Sequence, residues 1–203
     1  MKMRHIICLF FLMPIYLFAQ NWNLEVGAAH YNAPKILKDH FSGGWIDCQI
    51  EASYLMDDCV ELWVGTNWIA KKHKTDEEDS SYSFCSSEIE KNQIWILPIS
   101  AGAKYFFYVT PCASIYLGAG VVCTFMTVTH ENYYSKDSFS KNGIGAVIKS
   151  GIRYDWGDYT FVNIFCDYYH QVFQLSHSDM QLGYNRTFDL SGYKAGFSFG
   201  VYF

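Results

Sequence analysis

From residue 22 onward, apolar and polar residues alternate with a period of two through eight stretches: 22–31, 44–55, 59–70, 94–108, 112–126, 143–155, 159–172 and 190–203. Successive side chains of an extended chain point to opposite faces, so the pattern predicts eight β-strands, each apolar on one face and polar on the other. Ile46, Cys48, Ile50, Ala52 and Tyr54 share one face of the second stretch, opposite Asp47, Gln49, Glu51 and Ser53. Leu97, Ile99, Ala101, Ala103, Tyr105 and Phe107 share one face of the fourth, opposite Ser100, Gly102 and Lys104. The seventh is the least regular, with Val162, Ile164, Cys166 and Tyr168 on its better face. Most stretches exceed the roughly 5–6 residues usual in soluble sheets. They suit the roughly 9–11 residues of a tilted membrane-crossing strand with protruding ends.

The connections alternate in length. Residues 56–58, 109–111 and 156–158 are tight turns, whereas 32–43, 71–93, 127–142 and 173–189 are longer and polar. Short turns on one side and long loops on the other predict an all-β, eight-stranded antiparallel up-and-down transmembrane β-barrel, with both termini on the turn side. Rings gather near strand ends: Trp68 and Trp95 at the loop side; Tyr54, Tyr105, Phe107, Tyr154, Tyr159 and Phe203 at the turn side. They form two girdles of the kind found at membrane interfaces. Alternation alone leaves open which face is outside, because a lipocalin-type barrel turns its apolar face inward. The ring positions, the unequal connections and the last residues favour an apolar exterior. Glycines recur on the polar faces, among them Gly65, Gly102, Gly120, Gly151 and Gly200. A strand tolerates them best where something crowds it, as the narrow interior of an eight-stranded barrel does.

Composition adds to this picture. Aromatic residues make up 19% and charged residues only 17%, against about 25% charged in an average soluble domain. Lys2 and Arg4 precede an apolar run from Ile6 to Phe18 and then Ala19-Gln20. This reads as a secretory leader, 1–19, cleaved before a barrel domain of 20–203. Cys8 lies in that run without a lipobox-like approach, so no lipid anchor is expected. Beyond residue 20 no apolar run approaches the ~20 residues of a spanning helix. The formal charge of −5 and the scattered basic residues exclude a nucleic-acid footprint. Six cysteines follow the leader, at positions 48, 59, 85, 112, 123 and 166. Their spacing matches no zinc site, and most read as small hydrophobes. Cys85, in a loop, is the best candidate for a cross-link.

The chain stops at Phe203, and counting back by twos gives Val201, Phe199, Phe197, Ala195 and Tyr193. This resembles the C-terminal signal through which outer-membrane barrels are read by their insertion machinery. With the leader and the strand count, the whole mature chain resembles the small eight-stranded outer-membrane proteins: OmpX-like, opacity-like, OmpW-like, and the transmembrane domain of OmpA. No peptidoglycan-binding domain follows the barrel, so the resemblance does not extend to a full-length OmpA-type protein. It implies a bacterial outer-membrane location, contact with outer-membrane lipid and lipopolysaccharide, and surface ligands met by loops 71–93 and 127–142.

Charges on the polar faces are the nearest thing to a site. Glu51, Glu61, Lys104 and Arg153 fall at a lower level above the turns, and Asp47, Lys149, Asp167 and Lys194 at a higher one, with Glu25 a further low acid. Charges in a narrow interior must pair or meet water. The expectation is a lumen network that plugs the barrel. Trp63, Phe161 and Phe165 could line part of the same interior.

Catalysis is not legible, and neither a cofactor nor a metal site is expected. His170, Ser176, His177, Ser178 and Asp179 gather around the fourth loop, but Gln171 and Val172 follow His170 where lipid A deacylases would place a His-x-Ser spacing. His73, His130 and His177 lie in different loops, the run Lys71–Glu78 reads as solvated, and Asn185-Arg186-Thr187 is a sequon without meaning in a bacterium. The leading expectation is a structural or surface-interaction barrel. The alternatives are an OmpW-like conduit for small apolar solutes and, behind it, a lipid A-modifying enzyme.

Overall fold

The computed structural model describes residues 21–34, 37, 44–75, 90–131, 136–174 and 187–203. The leader, Cys85, the cluster 176–179 and the sequon's Asn185 and Arg186 lie outside them.

Eight strands close into an antiparallel barrel: β1 (Trp22–Asn32), β2 (Trp45–Asp57), β3 (Val60–Thr75), β4 (Glu90–Thr110), β5 (Ala113–Glu131), β6 (Lys136–Asp155), β7 (Thr160–His170) and β10 (Gly192–Tyr202). Each pairs with its neighbours in sequence, and β1 with β10 closes the ring. Closure leaves no edge through the hydrocarbon, where an unpaired amide has no water to bond. Two short strands, β8 (Val172–Gln174) and β9 (Thr187–Asp189), form a separate ribbon above β7 and β10. The chain steps off the barrel at Gln171 and Leu190: Leu190 N donates to Gln171 O (2.9 Å), and Gln171 N donates to Ser191 Oγ (3.0 Å). Bulges lie beside two tight turns, at Leu55/Asp57 and Tyr108/Thr110. Gly157 (φ 78°) makes the third, in the left-handed region that favours glycine.

The apolar face is outside. Ile46, Ile50, Val64, Leu117, Ile148 and Phe197 are exposed, while Asp47, Glu51, Glu61, Lys104 and Asn163 are buried. Such a belt is stable only against an apolar solvent. Rings rim it on both sides. Trp68 meets Trp95 at 5.6 Å and Tyr168 meets Tyr193 at 4.7 Å at the loop side; Trp22 meets Tyr54 at 5.4 Å and Tyr105 meets Phe107 at 4.8 Å at the turn side. Cys48 and Cys166 are exposed on the belt, Cys123 is half-buried there, and no described cysteine is in a disulfide.

The strands of the β3–β6 wall run further than the sequence pattern implied, so parts of the stretches 71–93 and 127–142 are strand. Above the girdle the polarity reverses. Ile94, Ile96, Met126, Val128 and Phe139 point inward and are buried, whereas Thr127, Ser138 and Ser140 face outward. The reversal follows from the surroundings, since wall above the membrane meets water outside and must hide apolar residues within.

Inside, rings sit on glycines. A Cβ at Gly200 would lie 2.1 Å from the Phe161 ring, one at Gly120 2.8 Å from Trp63. Phe161 is fully buried, and the Tyr202 ring lies 4.8 Å away, so it has little room to yield. Gly200→Ala is therefore expected to destabilise the barrel by about 1–3 kcal/mol, the usual cost of overpacking. Phe161→Leu in the same chain should recover part of the loss. Urea unfolding of the protein refolded in lipid vesicles measures both, and an unshifted midpoint for Gly200→Ala contradicts the crowding.

Candidate functional site in the lumen

The eight expected lumen charges all point inward and are all buried. Strand register brings some together. Glu61 faces Lys104 across β3 and β4, and Asp167 on β7 lies between Lys149 on β6 and Lys194 on β10. Contacts across the lumen join these groups into one ladder of alternating sign. At the turn-side end Arg153 grips Glu61 with both terminal nitrogens, at 2.8 and 3.2 Å. Glu61 also meets Lys104 at 3.3 Å. Lys104 and Lys149 both bond Glu51. Lys149 approaches Asp167 at 4.0 Å, Asp167 approaches Lys194 at 3.7 Å, and Lys194 meets Asp47 at 3.3 Å. The two levels read from the sequence are thus one structure, because Lys149 on β6 reaches Glu51 on the opposite wall.

Neutral groups complete the ladder. Asn23 donates to Glu61 (2.9 Å), Asn67 to Asp47 (2.7 Å), Ser198 to Glu25, and Lys194 to Gln49 (2.7 Å). The cations also lie over rings. Arg153 is 4.2 Å from the Phe161 centroid and 4.4 Å from that of Phe106, and Lys149 is 4.2 Å from Trp63. Glycine seats the ring, the ring faces the cation, and the cation meets a carboxylate. Such pairing and quadrupole attraction offset the cost of removing these ions from water.

Beside Lys194 lies a cavity of about 20 Å³, lined by the polar residues Asp47, Asn67, Thr124, Tyr169 and Gln171 and the apolar Ile69, Ile96 and Leu190. Asp47 Oδ1, Thr124 Oγ1 and Tyr169 OH have no protein hydrogen-bond partner. The space suits about one water molecule with several polar neighbours. Over the cavity, Tyr31, Leu37, Trp45, Ile94, Met126 and Phe173 belong to one buried apolar cluster. Tyr31 OH donates to Leu190 O and ties β1 to the chain beside the ribbon. This apolar cap was missed in the sequence. Its signal was available: Ile94, Ile96, Met126 and Val128 share the inward parity of Lys104 and Gly118, but the apolar outward rings beside them masked the change. Trp63, Phe161 and Phe165 do line the interior, with Phe106 and Tyr116.

Of the residues weighed for catalysis, His170 is described. It is exposed, and its Nδ1 lies 3.1 Å from Ser191 Oγ on the neighbouring strand segment. A working pair needs a third group to orient the base, and among the described residues no carboxylate bonds His170. No cluster of metal-ligating side chains occurs among the described residues either. The residues of the terminal signal form the outer face of β10 and its end: Tyr193, Ala195, Phe197, Phe199 and Phe203 are exposed and Val201 is half-exposed.

No family model matches the sequence, and no curated relative matches it. Solved structures do match its fold. Neisserial surface protein A (NspA) superposes with a TM-score of 0.60 at 17% identity, covering 90% of this chain and 97% of that one. Outer membrane protein OprG from Pseudomonas aeruginosa gives 0.56 at 15% identity, covering 91% and 96%. The attachment invasion locus protein Ail of Yersinia pestis, in complex with the heparin analogue sucrose octasulfate, gives 0.55 at 8% identity, covering 90% and 97%. The chain therefore has the fold of the small eight-stranded outer-membrane β-barrels.

Proposed function

We propose that the mature chain is a bacterial outer-membrane scaffold whose lumen is closed and whose work is done by its loop-side surface. In this reading the leader 1–19 directs export, and the terminal strand from Tyr193 to Phe203 engages the insertion machinery. The observation that carries the reading is the continuous ladder from Arg153 to Asp47, with the apolar cap above it. A lumen filled by paired charges holds the wall rigid and leaves no wide aqueous path.

Single-channel recording of the purified mature chain in planar bilayers should show no steady conductance. A large, steady current would overturn the closed-lumen reading.

The ladder itself predicts unequal effects. Glu61→Gln takes from Arg153 its hydrogen-bonded carboxylate and should cost about 3–5 kcal/mol, as stranding a buried charge does. Arg153→Met should cost less, because Glu61 keeps Lys104 and Asn23. Urea midpoints in vesicles compare the two, and equal losses would mean that water solvates these charges.

One observation favours a second reading, a conduit for small apolar solutes. The upper lumen is apolar, and β6–β7 pairing stops at Ala146↔His170, below the end of β6. Cells expressing the protein should then take up a small alkane faster than cells without it. Unchanged uptake removes that reading.

A further inference from the structure

Charge is not evenly matched along the lumen. Among the described residues, the buried acids are Glu25, Asp47, Glu51, Glu61 and Asp167, and the buried cations are Lys104, Lys149, Arg153 and Lys194, five against four. The contacts show where the shortfall lies. At the turn-side end Arg153 bonds Glu61, Lys104 bonds Glu51 and Glu61 and lies 3.9 Å from Glu25, and Lys149 bonds Glu51. Three acids there meet three cations. At the loop-side end Asp47 and Asp167 share one cation, Lys194, at 3.3 and 3.7 Å. Lys194 also gives a hydrogen bond to the neutral Gln49 (2.7 Å), and Lys149 comes no nearer to Asp167 than 4.0 Å. Asp47 Oδ1 and Asp167 Oδ1 have no protein hydrogen-bond partner. The loop-side tier is thus short of one positive charge, in surroundings where an unpaired ion is costly.

The cavity beside Lys194 belongs to this tier. Asp47, Thr124 and Tyr169 line it, and their oxygens Oδ1, Oγ1 and OH have no protein partner. Asn67 and Gln171 line it too. Asn67 Nδ2 is engaged with Asp47 Oδ2 (2.7 Å) and Gln171 Nε2 with Gly143 O (2.9 Å), so each amide has its carbonyl oxygen to offer. The set is one carboxylate and four neutral oxygens, and hard cations are bound by oxygen. A divalent ion would bring one charge too many, whereas an ion of single charge makes the tier neutral. Asp47 can serve two cations at once, because Oδ2 faces Lys194 and Oδ1 is left over. A space of about 20 Å³ holds about one water-sized particle. Sodium and potassium ions fit that size, and an alkylammonium does not.

We propose that this cavity is a binding site for one alkali cation, Na⁺ or K⁺, held by Asp47, Asn67, Thr124, Tyr169 and Gln171. The bound ion neutralises the loop-side tier and ties β2, β3, β5 and β7 together beneath the apolar cap. The inference rests on the closed-lumen reading, since bulk water in the lumen would screen these charges.

A ligand held by the folded chain alone raises stability with the logarithm of its concentration. Urea midpoints of the mature chain in vesicles of neutral lipid test this, measured in sodium, potassium and tetramethylammonium chloride at matched ionic strength. The wild-type midpoint should rise with sodium or potassium and stay level with tetramethylammonium, which is too large for the cavity. Thr124→Val keeps every charge of the ladder and removes one oxygen. It should weaken the apparent affinity for the alkali ion about tenfold, the order contributed by one polar contact to a charge. Asp47→Asn removes the surplus charge and should abolish the dependence. Glu25→Gln, in the balanced tier, should keep it. Crystals grown in rubidium chloride should show one anomalous peak among the five side chains. Equal wild-type midpoints in all three salts overturn the inference and assign the missing charge to a bound proton. An alkali dependence untouched by Thr124→Val, or lost in Glu25→Gln alone, overturns the location. A larger rise in calcium chloride overturns the single charge. A steady single-channel current would instead sink the closed-lumen reading on which the site rests.

Discussion

Everything inside this barrel answers to one constraint: charged side chains held away from bulk water must neutralise one another. Leaving one buried ion without its partner costs about 3–5 kcal/mol, a large share of a domain's net stability. Four cations and the acids Asp47, Glu51, Glu61 and Asp167 meet it as a single alternating ladder. Because Glu51 takes both Lys104 and Lys149, and Asp167 stands between Lys149 and Lys194, no pair is independent of the next. Contacts such as that of Lys149 on β6 with Glu51 on β2 tie together strands on opposite walls. The rings reinforce this. Phe161 and Trp63 reach the axis because Gly200 and Gly120 leave them room, and once there they face Arg153 and Lys149.

Solvent decides polarity at each height. Between the girdles the wall meets hydrocarbon, so Ile50 and Leu117 are outside and Glu51 is inside. Above the Trp68–Trp95 pair the wall meets water, and Ile94, Met126 and Phe139 turn inward. The small cavity beside Lys194 marks the boundary between the charged lumen and the apolar cap.

The sequence by itself determined the strand number, the short turns at Met56–Asp58, Val109–Pro111 and Trp156–Asp158, the outward face, and the set of inward charges. These are local properties: a period of two survives in any one strand, and a two-sided strand in a membrane has one consistent orientation. Only the tertiary structure decided which charges meet. The partners Glu51 and Lys149 are 98 residues apart, and barrel tilt and shear set their heights. The apolar cap also waited for the fold. Near Ile94 and Trp95 both faces are apolar, and alternation loses its meaning where the surrounding solvent changes.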